Sequence, residues 1–524
     1  MNSKSVKFLG INLLIIMLIL VFWSMTKSDS QVDQDWQDQP EGSSESTKAS
    51  EKMVTDSNMI DWDNREIYRS GLTIEAQDAL DRLPNASVYH ISLSIPDFIE
   101  DGISGDLSVR YINDEDVDLE EIYFRTFPNY NGGQIEIENI KIDGVLAEGK
   151  FESQDTALRI DLEHSLKPNE SVVISMDFHL VVPTEMGGNY GLYGYFDDIL
   201  VLDTFYPVIA AYDQNGWYKQ IPQENGDLSY QDASFYSVKV KVPGHMLFAT
   251  SGVEIEYSKD SGRQSIVYAA GPARDFYIAG SEKFTKESRQ FGEITVNSLT
   301  FSQYATHQQY AIDNAIQALD KLGNRFGNYP YTEFDVISSP MLALGIEYPG
   351  VTSIMIEEFK TNATLYGLPA RSMLESTIAH EVGHQWFYNG VGNDQQNEPW
   401  IDESLTQYAT YLYYLDSYGE NGATGYLNSF DSRWERVDYA DIPVGMPAGN
   451  YNGAEYGAIV YGRGPLFFSE LENIIGLDTL SSAIQNYYQE NLWGTTNVQI
   501  LRDYIEEECN CDLGEYFENW IYDN

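Results

Sequence analysis

The sequence predicts an α+β multidomain protein in which an antiparallel β-sandwich-like domain precedes a mainly helical domain. The chain has 524 residues, and at about 150 residues per domain it is too long for one ordinary core. Apolar and polar residues alternate in much of the first half, which is typical of half-buried strands. In the second half the apolar residues recur at three- and four-residue spacing, which is typical of helices. We expect the β domain at residues 61–290 and the helical domain at 291–524.

The first residues predict export from the cytoplasm. Lys4 and Lys7 precede an apolar run over residues 8–23, which has the charge arrangement of a signal peptide and is almost long enough to span a membrane. No Ala-x-Ala cleavage site follows, so an uncleaved signal anchor at residues 1–27 is favoured over a removed signal peptide. By the positive-inside rule the two lysines stay in the cytoplasm, so the segment is expected to cross the membrane once and to leave the folded body outside the cell. The alternative is a protein secreted after cleavage.

Residues 28–60 predict a disordered acidic stalk. They are mainly Ser, Gln, Asp and Glu with few apolar side chains, a composition that cannot bury enough surface to fold by itself. Such a stalk would hold the folded body away from the membrane.

Charge and cysteine content argue against a nucleic-acid partner and against a zinc site made of cysteines. With 81 acidic and 31 basic residues, the net charge of −50 repels phosphate backbones, so no nucleic-acid partner is expected. Cys509 and Cys511 are the only cysteines in the sequence, too few for a zinc site of clustered thiolates. Because a disulfide across so short a loop is strained, we expect two unrelated thiols. A local disulfide and a redox-sensitive pair are the alternatives.

The clearest predicted strands lie in the first half of the chain. Strict alternation of apolar and polar residues occurs at 88–95, 135–142 and 238–242. Asp143-Gly144 directly after the second of these is a turn signal, and turns at short intervals favour a β-sandwich.

The predicted helices follow residue 302. Apolar residues at helical spacing occupy residues 303–326, 371–388 and 402–417, and the pattern returns from Leu477 to Trp520. This half is therefore expected to be largely helical.

The sharpest chemical motif lies in the second of these helices, where residues 380–384 read His-Glu-Val-Gly-His. Residues 380 and 384 are one helical turn apart on the same face, so two imidazoles can converge on one zinc ion. Glu381 is close enough to take a proton from the attacking water without being a ligand.

A zinc site of this kind needs a third protein ligand, and Glu403 is the candidate. A turn at Asn389-Gly390 is expected to end the first helix, and the polar stretch after it lets the chain return into a second helix. Glu403 then faces the pair of histidines. The sequence thus predicts one zinc ion per catalytic domain, held by His380, His384 and Glu403.

With these residues the chain resembles the aminopeptidase N family of gluzincins, in a form without the large helical C-terminal domain. Residues 344–348 are similar to the family's Gly-x-Met-Glu-Asn strand, which implies that Glu347 binds the free α-amino group and that Gly345 lines the substrate site. Tyr456 and Tyr461 match the family's pair of tyrosines. The resemblance implies that Tyr461 donates to the oxyanion and that Tyr456 contacts substrate.

The resemblance covers nearly everything after the stalk. Residues 123–129 and 271–276 are similar to the family's N-terminal domain, and the second half is implied to be a thermolysin-like catalytic domain. Leu344, Ile346 and Tyr348 stand where the family usually has Gly, Met and Asn.

The function implied is zinc-dependent peptide hydrolysis with Glu381 as general base. The leading interpretation is removal of N-terminal residues from extracellular peptides. The expected partners are peptide substrates and the membrane. The sequence makes no prediction of oligomeric state. One alternative is a zinc endopeptidase that needs no free amino terminus. The other is a non-catalytic surface binding protein.

Overall fold

The computed structural model describes residues 60–187, 190–228 and 230–522. The predicted signal segment, residues 1–27, and the stalk up to residue 59 lie outside these residues. Within the described ranges, every helix is too short or too polar to cross a membrane.

The first half of the described chain is built from strands, as the alternation predicts. The predicted strands at 88–95, 135–142 and 238–242 are confirmed by the strands Val88–Ser94, Gln134–Ile142 and Ser234–Pro243. The strands of this half are β1 (Val88–Ser94), β2 (Ile103–Ile112), β3 (Leu119–Arg125), β4 (Gln134–Ile142), β5 (Val145–Leu146), β6 (Gly149–Glu152), β7 (Ala157–Leu166), β8 (Ser171–Val181), β9 (Tyr193–Phe196), β10 (Ile199–Leu202), β11 (Val208–Ile209), β12 (Tyr212–Asp213), β13 (Gly216–Trp217), β14 (Ser234–Pro243), β15 (Leu247–Thr250), β16 (Val253–Asp260), β17 (Arg263–Ala273) and β18 (Ile278–Ser281).

These strands form packed sheets around one apolar core. The largest sheet, as far as the chain is described, has the order β16-β17-β14-β1-β2-β8-β4-β5, and two smaller sheets have the orders β15-β18-β10-β9 and β11-β3-β7-β6. Neighbouring strands of the large sheet are antiparallel except β1 and β14. Ile91 of the large sheet and Phe124 of a small sheet are both buried in this core. The predicted β-sandwich-like domain is confirmed.

The second half combines a sheet with helices. The strands are β19 (Phe284–Phe291), β20 (Ile294–Phe301), β21 (Glu333–Ser339), β22 (Gly345–Tyr348), β23 (Val351–Met355), β24 (Thr364–Leu365) and β25 (Leu368–Pro369). The α-helices of the described chain, the first of which precedes β1, are α1 (Ala79–Arg82), α2 (Gln308–Phe326), α3 (Ala370–Gly383), α4 (Trp400–Trp434), α5 (Gly453–Ala458), α6 (Gly464–Ile475), α7 (Leu477–Glu490), α8 (Val498–Cys509) and α9 (Gly514–Trp520).

The sheet of the second half has the order β19-β20-β21-β23-β22, with β22 as an antiparallel edge strand. Strand β19 belongs to this sheet, so the predicted boundary between residues 290 and 291 falls inside a strand of the second half. Alternation alone does not reveal which sheet a strand joins.

The predicted helices exist, but several of their ends differ. In the segment predicted at 303–326, a 3-10 turn (Ser302–His307) precedes α2, which begins at Gln308. The segment predicted at 402–417 belongs to α4, which begins at Trp400 and continues past a non-helical Gly419 to Trp434. The prediction that a turn at Asn389-Gly390 ends the earlier helix is wrong, because α3 already ends at Gly383. A tight turn follows, in which the Trp386 N–H donates to the Gly383 carbonyl at 3.0 Å.

The cysteines also differ from expectation. Cys509 and Cys511 form a disulfide with their Cα atoms 5.2 Å apart, so the prediction of two unrelated thiols is wrong. Asn510 adopts a left-handed conformation at the end of α8, with φ of 48°, and this turns the chain so that both sulfurs meet.

The two halves of the chain share buried contacts. The Tyr277 ring of the β domain stacks on the Tyr348 ring of β22, with centroids 3.7 Å apart. The buried Arg274 guanidinium donates to the Tyr388 carbonyl at 2.7 Å, in the segment that follows α3. The β domain therefore contacts both the edge strand and the segment after the motif helix.

Candidate active site

The three predicted metal ligands come together in the structure. His380 lies on α3, and His384 directly follows the last residue of that helix in a helical conformation. Their Nε2 atoms are 3.3 Å apart. The Oε2 atom of Glu403 lies 3.2 Å from His380 Nε2 and 3.5 Å from His384 Nε2. All three side chains are buried, so their ligand atoms face one another rather than solvent.

The start of α4 places Glu403 at this point. Trp400 is fully buried and fixes the first turn of the helix in the core. Asp402 and Glu403 lie in that first turn, where carboxylates are favoured by the helix dipole. The Glu403 N–H donates to the Pro399 carbonyl at 3.2 Å and to Oδ1 of Asp402 at 2.8 Å, so the backbone is held at this residue.

Hydrogen bonds to Nδ1 orient both imidazoles. The Nδ1 atom of His384 lies 3.0 Å from the Phe387 carbonyl and 3.3 Å from the Thr406 hydroxyl. The Nδ1 atom of His380 lies 3.3 Å from the amide of Gln407. The Phe387 carbonyl can only accept, so His384 carries a proton on Nδ1 and directs Nε2 towards the metal position, as is usual when histidine binds zinc. The Gln407 amide nitrogen faces Nδ1 of His380 and fixes the orientation of that ring.

His380 and Glu403 are already in the protonation states in which they can bind a metal, whereas His384 is not. Burial lowers the pKa of His380 to about 4, so this imidazole is neutral at pH 7. Burial opposes ionisation of Glu403, but hydrogen bonds from His380 and His384 hold its pKa well below the usual range. Burial also lowers the pKa of His384, while the charges of Glu347 and Glu403 raise it well above normal overall. Metal binding therefore displaces a proton from His384.

The donor set fits zinc. Two imidazole nitrogens and one carboxylate oxygen are the ligands of many catalytic zinc sites, which keep a fourth position for water or substrate. His380, His384 and Glu403 would hold the ion.

Glu381 lies beside the triad and against β22. Its side chain is buried, and one ligand atom from each of Glu381, Glu347 and His384 lies within 4.8 Å of the others. A Cβ at Gly345 would lie 2.5 Å from Glu381 Oε1, so only glycine lets the strand pass this carboxylate. Burial, followed by the charge of Glu347, raises the pKa of Glu381 well above its usual range. A general base works best when its pKa lies near the operating pH, so a rise from the usual value of a carboxyl group is in the direction that this role requires.

Glu347 lies where the resemblance predicts the amine-binding residue. It is 6% exposed, and its Oε1 atom lies 3.8 Å from His384 Nδ1. Burial raises the pKa of Glu347 to about 8, with His384 opposing the rise and Asp227 adding to it. A cationic group bound here would stabilise the ionised carboxylate.

The two predicted tyrosines also reach this site. Tyr456 lies on α5, and Tyr461 lies on the π-helical turn Ile459–Arg463 that follows. The Tyr461 hydroxyl donates to Oε1 of Glu403, the carboxylate oxygen that does not face the histidines. The Tyr456 hydroxyl has no hydrogen-bond partner among the described residues, and its ring lies 5.9 Å from that of Tyr461.

The sequence did not single out several polar residues of this site. Gln395 donates to Asp402 Oδ2 at 2.5 Å and lies 3.5 Å from Glu347 Oε1. Asp203 and Asp227, which precede the helical half in sequence, interact electrostatically with Glu347. No motif marks these residues, although Asp402 stands next to a predicted ligand.

Comparisons with known proteins show which proteins this chain is similar to. Residues 310–520 match the model of the peptidase family M1 domain. Aminopeptidase M1-B of Oryza sativa subsp. japonica is 21% identical over 300 residues, which cover 54% of this chain and 34% of that protein. Aminopeptidase 2 of Candida albicans is 20% identical over 458 residues, which cover 83% of this chain and 47% of that protein. The chain thus spans less than half the length of these curated relatives.

Solved structures share the architecture. The M1 zinc metallopeptidase of Deinococcus radiodurans has a TM-score of 0.63 at 17% identity, covering 84% of this chain and 94% of that one. A mutant of that peptidase bound to a Tyr-Ser-Ala substrate has a TM-score of 0.62 at 17% identity. These structures confirm the predicted fold, a β domain followed by a mainly helical catalytic domain. With the matched domain and the aminopeptidase relatives, they show that this chain resembles the zinc metallopeptidases and aminopeptidases of peptidase family M1.

Proposed function

We propose that this protein is a zinc aminopeptidase, which hydrolyses the first peptide bond of peptides that have a free amino terminus. The observation that carries the proposal is the buried carboxylate of Glu347, 3.8 Å from the ligand His384. A buried acid at this distance gives a cationic α-amine a binding partner beside the metal. The relatives named aminopeptidases support the same class of substrate.

The chemistry divides among few groups. His380, His384 and Glu403 would hold the zinc ion, which when bound would act as a Lewis acid on the scissile carbonyl and lower the pKa of water. Glu381 takes the proton of the attacking water and delivers it to the leaving amine. The Tyr461 hydroxyl, which donates to Oε1 of Glu403 in the structure, would turn from that carboxylate and donate to the developing oxyanion, a contact of about 3 kcal/mol in comparable sites.

The amino terminus is held by Glu347 in this proposal. Because the amine binds at a fixed distance from the metal, only the first peptide bond reaches the reacting groups. Burial raises the pKa of Asp203 well above its usual range and that of Asp227 to about 7, and a cation bound near them would favour their ionised forms.

Replacing Glu347 with alanine tests the amine site. Glu347→Ala is expected to lower kcat/KM for peptides with a free amino terminus by roughly 100-fold, because a buried charge-assisted hydrogen bond is lost. The measurement is steady-state hydrolysis of a peptide and of its N-acetylated counterpart. Glu472→Ala is a matched control, since Glu472 is a half-buried carboxylate on α6 that accepts from Tyr408 at 2.8 Å. The control should hydrolyse both peptides as the wild type does.

The same substrate pair separates the alternatives. A wild-type enzyme that cleaves the acetylated peptide as fast as the free one would favour a zinc endopeptidase. A protein that binds one equivalent of zinc and cleaves neither peptide would favour a surface binding protein.

We also propose that the folded body is exported and held at the cell membrane. The support is the pair of lysines and the apolar run over residues 8–23, together with the acidic segment that follows. Protease added to intact cells should digest the described part of the chain, as detected with an antibody against it. Full protection of the protein until the cells are broken would contradict this location.

A further inference from the structure

Gln385 links the motif segment, residues 380–385, to β22, the strand that carries Glu347. It directly follows His384, and its side chain is 1% exposed. Its Nε2 donates to the Tyr348 carbonyl at 2.9 Å, and its Oε1 accepts from the Gly350 N–H at 3.0 Å. One side-chain amide therefore satisfies both ends of the tight turn between β22 and β23.

Other contacts also hold this turn, and one of them is a hydrogen bond from the Asp335 N–H of β21 to the Gly350 carbonyl at 2.9 Å. Strand β22 is an edge strand that pairs only with β23 within the described sheet. Gly350 has a φ of 73°, a conformation that glycine adopts readily. On the other side, the Tyr277 ring stacks on Tyr348. Gln385 thus supplies the hydrogen-bonded contact from the motif segment, and Tyr277 supplies a packing contact from the β domain.

The chain neighbours on both sides of this contact matter for the site. Gln385 is bonded in sequence to the metal ligand His384, and Tyr348 is bonded in sequence to Glu347. The hydrogen bond between Gln385 and the Tyr348 carbonyl therefore connects the backbone next to His384 with the backbone next to Glu347. The Nδ1 atom of His384 and the Oε1 atom of Glu347 are 3.8 Å apart. A shift of about 1 Å in such a path is enough to misplace a reacting group.

We propose that Gln385 is a positioning residue that sets the distance between the metal site and Glu347, and thereby fixes the preference for a free amino terminus. The inference rests on the proposed role of Glu347. Without the amide, the Tyr348 carbonyl and the Gly350 N–H are left buried without their partner, and the turn that holds Glu347 shifts to satisfy them.

The test separates amine recognition from metal binding by using two inhibitors. One is the hydroxamate of leucine, and the other is the same hydroxamate without the amino group. Both present the same chelating group, so the ratio of their inhibition constants reports amine recognition alone. Gln385→Met removes both hydrogen bonds at similar volume, and it should lower this ratio roughly tenfold while zinc content stays at one equivalent.

Further variants control for effects on folding. Gln385→Asn keeps an amide of shorter reach and serves if the methionine variant fails to fold. Gln264→Met is the matched control, because Gln264 is a buried glutamine of β17 that donates to the Met246 carbonyl at 2.7 Å. The control should leave the inhibitor ratio at the wild-type value.

A double-mutant cycle identifies the route of the effect. If Gln385 acts through Glu347, then Gln385→Met in a Glu347→Ala background should change the ratio by less than about twofold. An equal loss of affinity for both inhibitors, or the full tenfold change in that background, would overturn the inference. A wild-type enzyme that does not discriminate between the inhibitors would overturn the proposed role of Glu347 itself. Discrimination retained by Gln385→Met would overturn only the role of Gln385.

Discussion

Glu381→Gln is expected to bind one zinc ion and to hydrolyse peptides about 1,000- to 10,000-fold more slowly than the wild type. Glutamine has the shape of glutamate, but its amide cannot accept the proton of the attacking water at neutral pH. Glu381 does not belong to the group formed by His380, His384 and Glu403, so the metal site should remain intact. The measurements are kcat on a free-amino-terminal peptide and zinc content by atomic absorption.

The same helix provides a control for Glu381→Gln. Glu375 lies on α3 and accepts from the Tyr413 hydroxyl at 3.2 Å. Glu375→Gln keeps an acceptor for that hydroxyl, and its kcat should stay within about twofold of the wild type. Peptide hydrolysis at the wild-type rate by Glu381→Gln, with zinc bound, would refute the assignment of the general base.

The role of Glu381 could be predicted from the sequence, because it depends on local geometry. Residues one helical turn apart share a face in any helix, so the positions of His380 and His384 could be predicted without knowledge of the remaining fold. Strands such as β14 could be predicted in the same way, since alternation of Val238 and Val240 with lysines indicates one buried face.

Other features depend on contacts that no local pattern encodes. The Gln385 amide bonds to backbone atoms of Tyr348 and Gly350, and a side chain bonded to backbone leaves no mark on the residue types of its partners. The end of α3 at Gly383 follows from the turn that brings the His384 ring to the Phe387 carbonyl. Sequence periodicity continues past that point, so it predicted a longer helix.

The disulfide illustrates a third kind of limit. The spacing of Cys509 and Cys511 argues against a bond in an extended chain. Asn510 in the left-handed region reverses the chain direction at the end of α8 and removes that obstacle. A single backbone conformation, which the residue type permits without requiring, decided the outcome.

Glu403→Ala is expected to lose both zinc and activity. The carboxylate supplies the only charged ligand of the triad, and its Oε2 lies 3.2 Å and 3.5 Å from the two imidazole nitrogens. Two neutral imidazoles alone bind zinc much more weakly than a set of three protein ligands. Peptide hydrolysis should fall below detection, and zinc should be lost on dialysis that leaves the wild type with one equivalent. Atomic absorption and a peptide assay measure the two effects.

Removal and return of zinc separate this effect from misfolding. Wild-type enzyme inactivated by a chelator should regain activity when zinc is added, whereas Glu403→Ala should stay inactive at the same zinc concentration. Because a ligand that binds only the folded state stabilises it, added zinc should raise the Tm of the apo wild type and leave that of the variant unchanged. Glu420→Ala, an exposed change on the same helix α4, should behave as the wild type in each assay. Stoichiometric zinc and peptide hydrolysis in Glu403→Ala would show that the carboxylate is not a ligand.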